Sequence, residues 1–183
     1  MNAKYLSAAL WLKLGAAALF AGYLYVLIKI FLFKFGDVDF SQLGRMLRET
    51  AEQPQSIAYR WRFANMTPLA SIRANLEALP RVHDTLNLFG NIALFAPFGL
   101  FLGLFASCRL PAVLFYALAV SLALESAQLV FAMGSFDVDD LILNALGAAV
   151  GYGLFASTAL ARAARIASGG VQARGRTPNP SRV

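Results

Sequence analysis

Four apolar runs constrain this chain more than anything else in it. They cover residues 14–33, 86–107, 110–133 and 141–161. A helix rises about 1.5 Å per residue, so a run of about 20 residues crosses the roughly 30 Å hydrocarbon core of a bilayer. Lipid offers the backbone no hydrogen bonds, and a helix satisfies its own. The composition agrees: 58% of the 183 residues are hydrophobic and 14% are charged, where soluble domains run nearer 45–50% and 25%. That balance excludes a disulfide scaffold, a disordered chain, a coiled coil and an ordinary cytosolic enzyme. The expected fold is all-α, a polytopic membrane protein. Residues 1–167 form one domain, an antiparallel bundle of four transmembrane helices. Short turns at Cys108-Arg109 and 134–140 make neighbouring spans antiparallel.

Lys29 interrupts the first run about one turn from its end, where its ammonium can snorkel to the headgroups. The run is too long for a cleaved signal peptide and does not end in small residues, so it reads as an uncleaved anchor. The net charge of +6 superficially suggests nucleic acid. No basic stripe is interleaved with aromatics, however, and the charge flanks apolar runs, as topology and anionic lipid require. One histidine, His83, and one cysteine, Cys108, cannot build a zinc site or an intrachain disulfide. No metal or other cofactor is expected.

The tail after Ala161 carries Arg162, Arg165, Arg174, Arg176 and Arg182 and no acid. Arg109, Lys4 and Lys13 fall on the same side of a four-span bundle. The turn 134–140 has Asp137, Asp139 and Asp140 and no base. The positive-inside rule then puts both termini in the cytoplasm. Against it stands the loop 34–84, with seven basic and six acidic residues on the opposite side. Residues 168–183, rich in Gly, Pro, Ser and Arg, read as a disordered basic tail brushing anionic lipid.

The loop between spans one and two holds two amphipathic pieces. Ser41 is placed to cap a helix with Leu43, Met46 and Leu47 on one face, ended by Pro54. Thr67-Pro68 reads as an N-cap followed by proline at the first helical position, with Leu69, Ile72, Leu76 and Leu79 as an apolar stripe closed by Pro80. Without the strongly basic face of a surface binder, these helices are expected to dock on the bundle.

Polar residues inside spans need a reason, because a charge at the bilayer centre costs at least about 2.5–3.5 kcal/mol. Asn87 and Asn91, Glu125 and Gln128 with Ser121 one turn earlier, and Asp140 and Asn144 each share a helix face. Antiparallel spans bring all of them to one leaflet. Amides alone would suit a hydrogen-bond cluster that fixes helix register. Glu125 asks for a cation or a proton, and Arg62, Arg60, Arg81 or His83 of the long loop could reach down to it. For Asp137, Asp139 and Asp140 the choice is between a helix N-cap with acids complementing the dipole and a divalent-cation site or arginine-binding rim; the N-cap suffices for Asp137, and Asp140, which shares the face of Asn144, stays open. Gly99-x-x-x-Gly103 and Gly147-x-x-x-Gly151 allow close helix packing, and Pro97 should kink span two just below Asn91.

The run from Gly90-Asn91 through Pro97-Phe98-Gly99, then Glu125-x-x-Gln128, then Phe136-Asp137-Val-Asp139-Asp140 leading to Asn144, Gly147 and Gly151-Tyr152, resembles the VanZ-like family of bacterial membrane proteins. Upstream, Arg62-x-x-Asn65-x-x-Pro68 is similar to that family's Arg-x-x-Asn-x-x-Pro-Phe element, with Leu69 where phenylalanine is usual. Many members carry an arginine shortly before the aspartates, where this chain has Gly134 and Ser135. The resemblance implies a small helical protein of the bacterial cytoplasmic membrane. The family's namesake is linked to low-level teicoplanin resistance. Its motif residues fall on the polar constellation, so the expected site comprises Arg62, Asn65, Asn91, Glu125, Gln128, Asp140 and Asn144.

The function expected is binding of an envelope component at the outer leaflet: a glycopeptide antibiotic, a membrane lipid or a lipid-linked precursor. The alternatives are an intramembrane enzyme on a lipid headgroup, using Glu125 or Asp140 as acid or base, and a small oligomeric transporter. The topology is open to a direct check. Cysteines introduced into the tail should resist membrane-impermeant labelling in intact cells, and labelling there with protection of residues 134–140 would invert the orientation.

Overall fold

The computed structural model describes residues 3–33, 39–79, 81–106 and 108–174. Seven helices occur among them: α1 Ala3–Phe33, α2 Phe40–Glu52, α3 Gln55–Trp61, α4 Ala70–Glu77, α5 Val82–Phe105, α6 Leu110–Val130 and α7 Val138–Arg174. The four long ones each contain a stretch apolar and long enough to span a membrane: Leu14–Phe33, Thr85–Phe105, Leu110–Val130 and Val138–Thr158. The expected four-span bundle is therefore present. Contacts give its directions. Phe31 near the end of α1 meets Gln128 near the end of α6, and Asn91 early in α5 meets Asp140 at the start of α7. At the other end, Ala16 and Ala17 of α1 face Phe105 and Ala106 of α5.

The tightest contact is α5 against α7. A Cβ on Gly99 would overlap the carbonyl of Ala148, and a Cβ on Gly151 that of Ala96. Gly99, Gly147 and Gly151 thus lie in one seam where backbone touches backbone, and Gly103 faces the Phe155 ring. Helix α5 runs through Pro97. A proline has no N–H to give the preceding turn, and the Tyr23 hydroxyl of α1 docks here, donating to the Leu94 carbonyl at 2.6 Å. The core gathers Leu27 and Phe31 of α1, Phe95 and Phe98 of α5, Val113, Ala117 and Leu124 of α6, and Ala148 of α7.

The long loop docks on the bundle, with four differences from its sequence reading. First, α2 starts at Phe40 and its N-cap is Asp39, not Ser41: the Asp39 carboxylate accepts from Ser41 N at 2.8 Å and Gln42 N at 3.0 Å. The Gln42 amide, then that of Ser41, and nearby Arg45 hold this carboxyl below its usual range. Second, α2 buries Thr50 and leaves Leu47 half exposed. Third, a short α3 stands where no helix was expected. Fourth, α4 begins at Ala70, after Leu69 in a left-handed conformation (φ 68°), so Thr67-Pro68 belongs to the turn. Leu69, Leu76 and Leu79 of its stripe point outward, and Ile72 is half buried. Pro80 and Ser107 lie outside the described residues. At the far end α7 continues as helix to Arg174, past the expected start of the tail at residue 168, and residues 175–183 lie outside the described ones.

The glycine seam predicts a sharp contrast. Gly151→Ala should destabilise the detergent-solubilised protein by about 1–3 kcal/mol, as overpacking does, because a backbone carbonyl cannot move aside. Gly153→Ala, with nothing within 4 Å, should leave the melting temperature unchanged.

Candidate functional site

The start of α7 is a hub of carboxylates. Asp137 precedes the helix, and its Oδ1 accepts the Asp139 amide at 2.8 Å, which is the expected N-cap. That same carboxylate also reaches into the long loop: Asn65 Nδ2 donates to Oδ1 at 2.9 Å and Ser71 Oγ to Oδ2 at 2.5 Å. Backbone bonds reinforce the junction, from Asn65 N to the Phe136 carbonyl at 2.9 Å and from Val138 N to the Asn65 carbonyl at 3.0 Å. Asn65 is therefore a latch between the loop and the α6–α7 turn.

Asp139 is fully buried, and its carboxylate accepts from Leu69 N at 2.5 Å and Ile72 N at 3.0 Å. It caps α4 from seventy residues away in sequence. A helix N-terminus offers unpaired donors and a positive dipole end, and a carboxylate satisfies both. This remote cap explains why α4 starts later than Thr67-Pro68 suggested and tolerates a left-handed leucine before it.

Asp140 points the other way, into the bundle. Its Oδ1 accepts from Asn91 Nδ2 at 2.6 Å. Glu125 Oε2 also accepts the Asp137 amide at 3.0 Å. One turn deeper, Asn144 Nδ2 donates to Ser121 Oγ at 2.8 Å. Glu125, Asn144 and Ser121 are all fully buried. Two acceptors in this layer have no hydrogen-bond partner among the described residues, Glu125 Oε1 and Asn144 Oδ1.

Six of the seven expected residues thus lie in or beside one layer near the loop-bearing end of the bundle. Gln128 sits at its edge, with Nε2 donating to the Phe31 carbonyl at 2.8 Å, so it ties α1 to α6. Arg62 differs. It is exposed at the end of α3 and forms no ion pair with Glu125 among the described residues. The cation nearest the membrane end of α6 is Arg60 instead. Its Nη1 donates to the carbonyls of Leu129 and Val130, both at 3.0 Å, and to Thr50 Oγ1 at 3.2 Å. There it complements the negative end of the α6 dipole. Arg81 is exposed, and the His83 side chain lies outside the described ones.

Sequence reasoning missed Ser71 and Thr50 and the remote role of Asp139, and it offered Arg60 to Glu125 where the structure gives it the Leu129 and Val130 carbonyls. The i, i+4 spacing of Ser121 and Glu125 was the one available signal for Ser121. No three of His, Cys, Asp and Glu converge for a metal ion among the described residues.

Comparison with known families settles the kinship. The VanZ/LLP1 family model matches residues 20–161, well over half of the chain. The chain belongs to the VanZ/LLP1 family. No curated protein and no solved structure gives a significant match. The match takes in every residue of the layer, so the VanZ-like motifs can be read in contacts. Asn65 answers Asp137, the turn after Pro68 answers Asp139, and Asn91 answers Asp140.

Chemically, the layer offers buried carboxyl and amide oxygens to a donor or cation. It also anchors the loop. Asp139→Ala in this VanZ-like protein should therefore release α4, with a loss of about 1.5–3 kcal/mol typical of hydrogen bonds to a charged group. Limited proteolysis between residues 62 and 80 should accelerate, and Asp139→Asn should be intermediate. Unchanged cleavage in Asp139→Ala would rule out the remote cap.

Proposed function

We propose that this VanZ-like membrane protein binds an amphiphilic component of the bacterial envelope at the outer leaflet of the cytoplasmic membrane. Candidates are a lipid, a lipid-linked precursor and a glycopeptide antibiotic. The charge distribution supports the orientation, with the arginine-rich tail and Arg109 inside and the docked loop outside. The observation that carries the reading is Arg62. Of the seven motif residues it alone makes no side-chain hydrogen bond or ion pair among the described residues. It stands between Trp61 and Phe63, both substantially exposed.

This surface is held in place from beneath. The Trp61 ring packs on Phe136 with centroids 5.4 Å apart, and Asn65 latches the following residues to Asp137. The guanidinium presents a planar fork suited to phosphate or carboxylate. The aromatic rings suit the boundary between headgroups and acyl chains. The outward-facing Leu69, Leu76 and Leu79 add apolar surface nearby on α4. An amphiphile with an anionic head and an apolar body matches that pairing. Kinship to VanZ suggests tolerance to teicoplanin as the physiological outcome.

The test uses protein reconstituted in vesicles in a Trp11→Phe background, where Trp61 is the remaining tryptophan. Teicoplanin and a polyprenyl diphosphate are titrated separately against its fluorescence. A saturable change with either probe is expected, weakened about tenfold or more in Arg62→Ala, equivalent to about 1.4 kcal/mol. Arg62→Lys should recover part of it. Identical titrations in wild type and Arg62→Ala would remove Arg62 from the binding surface.

A further inference from the structure

The buried layer beneath that surface contains more acceptors than donors. Glu125 Oε1 and Asn144 Oδ1 are buried without hydrogen-bond partners among the described residues. Native proteins leave few such atoms, and each calls for an ion, a water or a strained arrangement. Both residues are fully buried, so outside solvent does not reach these oxygens.

Their positions are linked by register. Ser121 and Glu125 stand one turn apart on α6, and Asp140 and Asn144 one turn apart on α7. The Asn144–Ser121 hydrogen bond at 2.8 Å and the bond from the Asp137 amide to Glu125 Oε2 at 3.0 Å are two successive links between α6 and the start of α7. Glu125 and Asn144 are the diagonal of that quadrilateral, and Ser121 Oγ is its third oxygen. Asn144 is neutral, so it adds to the acidic residues an oxygen of a different kind.

We infer that Glu125 Oε1, Asn144 Oδ1 and Ser121 Oγ form a binding site for one sodium-sized monovalent cation. The charge count favours a single positive charge. Glu125 is the one carboxylate among the three residues, and Asp140 is already engaged by Asn91. Asp137 and Asp139 are already engaged by donors of the loop and of α4. No lysine or arginine forms an ion pair with any of these four acids among the described residues. A calcium-type site takes six to eight oxygens and several carboxylates, and no three acidic, histidine or cysteine ligands converge here. Carboxylate, amide and hydroxyl oxygens are hard donors, suited to a hard cation. The site lies between about one and a half and two and a half turns from the ends of α6 and α7, in the end of the bundle nearer the loop. This inference does not rest on the Arg62 surface, and either can fail alone.

A ligand that binds only the folded state raises its stability with the logarithm of concentration. The full-length protein in detergent is therefore melted across a series of sodium chloride concentrations, with choline chloride keeping ionic strength constant. Potassium chloride is run as a size comparison. The expected result is a melting temperature that rises with sodium, rises less with potassium and stays level in choline. Glu125→Gln and Asn144→Ala should each abolish the sodium response, while Gly153→Ala keeps it. If either site variant fails to fold, the wild-type series still decides. Equal melting curves in sodium and choline would overturn the proposal, and so would a sodium response that survives Glu125→Gln.

Discussion

Three aspartates at the first turn of α7 hold the VanZ-like fold together. Their donors come from the long loop, α4 and α5. Asp137 takes the loop through Asn65 and Ser71, Asp139 takes the N-terminus of α4, and Asp140 takes Asn91 of α5. Carboxylates near a helix N-terminus are favoured by its dipole. Charge-assisted hydrogen bonds are also about twice as strong as neutral ones. One helix end can therefore organise both the bundle and the loop that covers it.

The rest of the bundle complements this polar end. Below the Ser121–Asn144 rung, α5 and α7 approach until glycine meets carbonyl, and no charged group enters the seam. Lipid tails are as apolar as leucine, so helix association here relies on close packing and on a few interhelical hydrogen bonds of about 0.6–2 kcal/mol each. Hydrogen bonds at the rim and glycines in the seam hold the helices in register. The α6 end is closed separately by Arg60 and Thr50, which cover its last carbonyls from the loop.

The division of labour bears on function. Most polar motif residues are spent on one another, inside a layer that substrate-sized molecules do not reach. That turns attention from the buried acids to the surface they support, where Arg62 stands among exposed aromatics on a latched platform. The two partnerless oxygens below it point to an occupant of atomic size. The buried acids make the hydrogen bonds that join α5, α6, α7 and the loop.

Much of this was legible in the residues. Run length and apolar content determined four spans, because a bilayer admits only helices of that size in such a chain. The glycine spacings marked the α5–α7 seam, and the i, i+4 polar pairs marked one end of the bundle as polar. Helix periodicity reports which residues share a face, and that is a local property. It does not report which face meets which. Arg60 rather than Arg62 turns to the last carbonyls of α6, Asp139 caps a helix seventy residues away, and Leu69 and Leu76 of the expected stripe face outward. Each of those outcomes depends on a partner distant in sequence. Only the tertiary structure decided them, because donors and acceptors from separate elements are matched by where the packed helices put them.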